Sequence, residues 1–244
     1  MKERYKHNNI MGTYSCDQNK IAKVSGILQE TQEAGRLQME IQKPSYDDVL
    51  AEGKALMLSR LDLKIYERIN FNEELTFSSW PCPGSRATLP RMYTVEKDGI
   101  IVAEAATQWA LVDIASRRVL KAEEIDMSNY YMGEYHELFR DKFKIPKDLE
   151  LHEIKKVEVG YSNLDYNGHM NNTYYADILC DCVPELGAGT HRVESFRIHY
   201  NKEAPLGDIL TINGANPEQG KYIFRSVKTN GEINIGAEIR LTEL

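Results

Sequence analysis

Hydrophobic positions recur with helical spacing in two stretches of the chain. Val24, Ile27, Leu28 and Thr31 follow the i, i+3, i+4, i+7 rule, and Tyr175, Ile178, Leu179, Cys182 and Val183 follow it again. Pro184 and Gly187 are expected to stop the second helix. Behind each helical pattern come runs with strand character. They are 55–66, 74–79, 91–96 and 100–113 after the first, and 195–200, 208–213, 222–228 and 232–241 after the second. Turn signals separate them at Pro81-Cys82-Pro83-Gly84, Asp98-Gly99, Asn216-Pro217 and Asn230-Gly231. Asp-Gly and Asn-Gly suit tight hairpins, whose type I′ turns need positive φ at both central residues.

The two halves repeat one another weakly. Asp17-Gln-Asn19-Lys-Ile21 precedes the first helix as Asp165-Tyr-Asn167-Gly-His169 precedes the second. Tyr66 then matches Tyr200, and Gly99 matches Gly231, in the same order. Each half reads as a strand, a helix and an antiparallel meander. A long helix laid across such a sheet buries its apolar stripe there, which makes the expected class α+β. The expected organisation is 1–118, a linker at 119–150, and 151–244. Tyr130, Tyr131, Tyr135, Leu138 and Phe139 predict a helix inside the linker, ended by Pro146.

Composition narrows the function classes. The 244 residues are 42% hydrophobic and 27% charged, with a mean hydropathy of -0.49, as expected of a soluble chain with a proper core. A net charge of -7 and a pI near 5.5 argue against a general nucleic-acid binder, which needs a basic face. No apolar run approaches the ~20 residues of a membrane span, and residues 1–14 lack a signal-peptide core. Cys16, Cys82, Cys180 and Cys182 form no C-x-x-C pair, so a reducing cytoplasm is expected.

The densest polar cluster runs from Gly160 to Tyr175. Asn172 or Thr173 reads as a helix cap. A cap does not explain Asp165, Asn167 and His169 at alternate positions, where an extended backbone would turn all three to one side. Such groups can relay protons. The helix N-terminus behind them offers free N–H groups near Asn171 and Asn172 to a developing oxyanion. One histidine and two carboxylates also suit a metal triad, but His7, His136, His152, His191 and His199 add no ligand spacing, so no metal and no cofactor are expected. Trp80 and Trp109 read as core.

The run Asp165-x-Asn167-x-His169-x-Asn171-Asn172, with Tyr175 after it, resembles the signature of the acyl-acyl-carrier-protein (acyl-ACP) thioesterases. Trp109-Ala-Leu-Val-Asp113 with Arg117-Arg118, and Tyr200-Asn-Lys-Glu203-Ala204, resemble two further family segments. The resemblance spans roughly residues 10–244. It implies a double hot-dog fold, two tandem repeats each with a long helix packed on an antiparallel sheet. It also implies hydrolysis of fatty acyl-ACP to free fatty acid and holo-ACP, ending fatty acid synthesis.

Asp165, Asn167, His169 and Glu203 would then be catalytic. Asn167 would orient the thioester or the water, Glu203 would polarise the water with His169, and Asp165 would act as base or as direct nucleophile. Asn171 and Asn172 would hold the oxyanion. Ile21, and Ile69 opposite Glu203, leave the first half without a proton relay, so that half would shape the acyl pocket with Met39, Met57 and Leu58. Ala204 stands where many plant members carry cysteine, which excludes a cysteine nucleophile there. Plant members also carry transit peptides, and their absence here points to a bacterial cytoplasmic form. The implied partner is an acyl carrier protein bearing a phosphopantetheine-linked acyl chain. It would be steered by Arg140, Lys142, Lys144 and Lys147 or by Arg117, Arg118 and Lys121, with a homodimer open. An acyl-CoA thioesterase and a non-catalytic acyl-thioester binder are the alternatives on the same fold.

Overall fold

The computed structural model describes residues 2–244. The chain forms two compact units: one runs to Leu138 without Lys23–Ser25, and the other joins Lys23–Ser25 to Phe139–Leu244. The first holds β1 (Tyr5–Ile10), α1 (Val24–Gln42) from Gly26 onward, α2 (Tyr46–Ala51), β2 (Lys54–Ile65), β3 (Glu74–Pro81), β4 (Leu89–Lys97) and β5 (Ile100–Asp113). Its strands lie in the order β1-β3-β4-β5-β2, antiparallel throughout. The predicted stripe is the buried face of α1: Val24, Ile27, Leu28 and Thr31 are all 3% exposed or less. Each such Leu or Ile contributes about 1.5–3 kcal/mol relative to exposure. Gly35 lets α1 approach β4, since a Cβ there would sit 3.1 Å from the Tyr93 hydroxyl. One turn later Gln38 Oε1 accepts a 2.5 Å hydrogen bond from Arg91 Nη1 on the same strand.

The second unit holds β6 (His152–Glu158), α3 (Tyr174–Cys180), α4 (Pro184–Ala188), β7 (His191–Tyr200), β8 (Ile209–Glu218), β9 (Lys221–Lys228) and β10 (Ile233–Glu243). Its order, β6-β8-β9-β10-β7, repeats the topology of the first unit strand for strand. The helix differs. The predicted second helix ends at Cys180, and Pro184 begins a new short one instead of stopping the old. Proline lacks the N–H that a continuing helix needs and pushes the residue before it out of helical space. Val183 is extended, at φ -111 and ψ 103, and Pro184 takes the first-turn position it tolerates.

Two further expectations change. At Asp98-Gly99 both φ values are positive, 51 and 78, as the type I′ turn requires. Asn216-Pro217, however, lies inside β8, and the turn falls at Gly220, φ 70. The β8–β9 register breaks between Ala215 and Glu218, and such an irregularity accommodates a proline that cannot donate to the ladder. The linker forms no α-helix between 119 and 150, only a 3-10 turn at Ala122–Glu124. Its aromatics serve an extended strap instead. Tyr130 enters the cluster of Met39, Val49, Leu111 and Ile125, while Tyr131, Tyr135 and Leu138 pack on Trp80, Cys82, Met92 and Ala106. Gly133 lies tight against β3, because a Cβ there would lie 2.1 Å from the Trp80 ring. In the second unit, Phe143 meets His199 edge-on, and the guanidinium of Arg197 is held by the carboxylate and carbonyl of Asp141.

Candidate active site

Residues 160–170 form a tight loop that returns on itself before α3. Asp165 N–H donates to His169 C=O at 2.9 Å, Gly168 N–H to Asp165 C=O at 3.0 Å, and Asn167 N–H to Asp165 Oδ1 at 2.8 Å. Gly168, at φ 79, supplies the left-handed residue that closes the turn. So Asp165, Asn167 and His169 do not share one side of an extended strand. A side-chain-capped turn gathers them instead, because short Asp side chains bond backbone N–H groups two residues on. The loop then pairs with the segment after β7: Met170 N–H donates to Ala204 C=O, and His169 bridges Pro205. That pairing brings His169 Nε2 to 3.2 Å from Glu203 Oε2, with both side chains partly open to solvent, 36% and 44%. The Asp165 carboxylate faces its own loop, with Asn167 Nδ2 3.5 Å from Oδ2.

The helix start is less open than expected. Asn171 N–H donates to Asn163 C=O at 2.8 Å, so it is not free for an oxyanion. Asn171 Oδ1 accepts from the N–H and hydroxyl of Thr173. Among the described residues the N–H of Asn172 has no acceptor, while its C=O accepts from Tyr200 Oη at 3.0 Å. The proposed acyl-pocket residues are scattered. Met39 is buried in the Tyr130 cluster, Leu58 is half-buried, and Met57 is 39% exposed. On β2, Leu56 rather than Met57 packs on that cluster, since neighbours on a strand face opposite ways.

A buried polar layer behind the pair was not anticipated. Asn234, fully buried on β10, donates from Nδ2 to Tyr175 Oη at 3.0 Å and to Lys202 C=O at 2.5 Å. Burial pushes the Tyr175 phenol up to about 12, against the opposing effect of the Asn234 hydrogen bond. The Tyr175 and Tyr200 rings meet edge to face at 5.7 Å. An asparagine in the apolar run Ile233-Asn-Ile235 was the available signal, because asparagine is depleted in strands.

The first unit repeats this main chain closely. Lys20 N–H donates to Asp17 C=O, Asp17 N–H to Ile21 C=O, Asn19 N–H to Asp17 Oδ1, and Ala22 N–H to Ile69 C=O. Tyr66 and Glu67 donate to Val102 C=O as Asn201 and Lys202 donate to Asn234 C=O. The counterpart of Glu203 is therefore Arg68, not Ile69, and Tyr66 matches Asn201. A slip of one residue changes which side chain faces the site. Ile21 is 7% exposed and Arg68 is exposed, so no acid–base pair forms there. Unlike that of Asp165, the Oδ1 of Asp17 also accepts from the N–H four residues on, Ile21, at 3.0 Å.

The same antiparallel five-strand order met twice, with the long α1 in one unit and the short α3 and α4 in the other, defines a double hot-dog protein. Family models for the acyl-ACP thioesterase N-terminal and C-terminal domains match residues 2–130 and 146–243, and the chain belongs to the acyl-ACP thioesterase family of thioester hydrolases. It is 22% identical over 256 residues to the chloroplastic oleoyl-acyl carrier protein thioesterase of Coriandrum sativum, covering 97% of this chain and 69% of that one. A second relative, oleoyl-acyl carrier protein thioesterase 1 of Arabidopsis thaliana, is also 22% identical, with 84% of this chain and 62% of its own length covered. An acyl-ACP thioesterase from Bacteroides thetaiotaomicron superposes with a TM-score of 0.87 at 17% identity, covering 97% of both chains. The 12:0-ACP thioesterase of Umbellularia californica gives 0.87 at 13% identity, over 99% of this chain and 98% of that one. No helix is long and apolar enough to cross a membrane among the described residues.

Proposed function

We propose that the protein hydrolyses fatty acyl-ACP to free fatty acid and holo-ACP, with the chemistry in the second unit. The carrying observation is the 3.2 Å contact of His169 with Glu203, in the one half where both positions are titratable. In this reading a water gives its proton to the His169–Glu203 pair and its oxygen to the thioester carbonyl carbon. The carbon–sulfur bond then breaks, and the thiolate takes the proton back. Acid–base help of this kind contributes about 10²–10⁴-fold. Asn172 N–H is the open donor for the oxyanion, and Asn167 orients the substrate.

Asp165 closes the loop, a part that Asp17 also plays in the half without the pair. The acyl chain is assigned to the first unit. The carrier is assigned to the ridge Arg140, Lys142, Lys144 and Lys147, all exposed, whose one acid, Asp141, is engaged by Arg197. The cytoplasm of a bacterium is the working location on this reading.

The test is steady-state hydrolysis of a panel of acyl-ACP and acyl-CoA thioesters, with a single turnover in heavy-oxygen water. Label found only in the fatty acid supports the water route. Label in Asp165 replaces it with direct attack, and higher kcat/KM on every CoA thioester replaces the carrier protein as substrate.

A further inference from the structure

The segment that delivers Glu203 is held by a device absent from the first unit. Asn234 and Val102 sit at the same irregularity of the last hairpin: the register breaks between Ile233 and Ile235 in one unit, and between Val95 and Glu96, opposite Val102, in the other. A bulge leaves its extra residue out of the ladder and re-aims it. In both units the bulged carbonyl accepts from two successive amides, Asn201 and Lys202 or Tyr66 and Glu67. Only in the second unit does the bulged side chain act as well. Asn234 Nδ2 takes Lys202 C=O, so both ends of the Lys202 residue are tied to one asparagine, immediately before Glu203.

The neighbouring carbonyls are held too, Glu203 C=O by Lys228 Nζ at 3.1 Å and Ala204 C=O by Met170 N–H at 2.9 Å. The same Nδ2 reaches Tyr175, whose counterpart by position in the repeated loop and helix is Ile27. Among the described residues Asn234 Oδ1 is buried with no partner. A buried polar group without a partner is costly and calls for a compensating role. Valine at the equivalent bulge shows that the fold itself does not need the amide.

We infer that Asn234 is a positioning residue, fixing Lys202 so that the Glu203 carboxylate meets His169. The inference rests on the reading of His169 and Glu203 given above. A displacement of about an ångström at a reacting group costs on the order of a hundredfold in rate, and a looser tether less.

The experiment measures kcat and KM on an acyl-ACP substrate for wild type, Asn234→Val, Glu203→Gln and the double variant, with melting temperatures. Asn234→Val should lower kcat by about tenfold or more, with KM unchanged within about twofold. In the Glu203→Gln background it should add less than about twofold, because the group it positions is already disabled. Asn234→Ala gives the same readout should the valine variant fail to fold. An unchanged kcat in the wild-type background overturns the inference. So does an equal loss in both backgrounds, which marks a merely structural residue. Normal wild-type turnover with Glu203→Gln fully active sinks the site assignment instead, and this inference with it.

Discussion

The two units share topology, loop geometry and even the bulge in the last hairpin, yet at the loop before the helix only the second sets a histidine against a carboxylate. The first has Ile21 and Arg68 where the second has His169 and Glu203, and Ile27 and Val102 where the second has Tyr175 and Asn234. The backbone hydrogen bonds are kept, and the side chains they present are exchanged. Conserving a fold and conserving a site are therefore separable here. Asp17 and Asp165 close their loops in the same way, while the buried hydrogen bond of Asn234 to Tyr175 has no counterpart at Val102 and Ile27.

The hardest test of this asymmetry is His169→Ile, which writes the first unit's residue into the second. We expect kcat to fall about a thousandfold with the melting temperature preserved, read by release of the free thiol. Full turnover would remove His169 from the mechanism. The strap differs between units in charge, and reversing it with Lys142→Glu and Lys144→Glu should raise KM for acyl-ACP about tenfold at low salt. KM for an acyl-CoA should not move, and an equal rise for both substrates would place the carrier elsewhere.

In the first unit the strap is structural. Gly133→Ala must displace the Trp80 ring, so stability should drop by about 1–3 kcal/mol in urea titrations while kcat holds. A neutral result would mean that the strap shifts freely. The smallest expected effect is a null. Ile21→His with Arg68→Glu, placed in the His169→Ile background, should restore no turnover, because Ile27 and Val102 supply no polar layer behind the new pair. Measurable recovery would show that the pair alone suffices.

Much of the frame was legible in the residues. The helical stripe beginning at Val24, the strand runs, and the positive-φ Asp98-Gly99 turn follow from local rules of spacing and backbone sterics. The loop signature at 165–172 stood out because its density of polar groups exceeds what a cap requires, and the structure brings His169 of that loop to Glu203. Local rules failed where an element's partner lay far along the chain. The aromatics at 130–139 have helix-like spacing, but Tyr130 and Tyr131 go to different clusters. Asn171 looked like a free donor until Asn163 came back to accept from it. Met57 is 39% exposed, and its strand neighbour Leu56 faces the Tyr130 cluster instead.

The residues by themselves determined the repeat and the α+β class, since both follow from the spacing and order of apolar, polar and turn residues. Only the tertiary structure decided the register of the repeat, matching Arg68 rather than Ile69 to Glu203, and it alone joined Asn234 to Lys202. Those facts depend on which backbone groups, distant along the chain, become neighbours when strands pair, and a linear pattern does not specify pairing to the single residue.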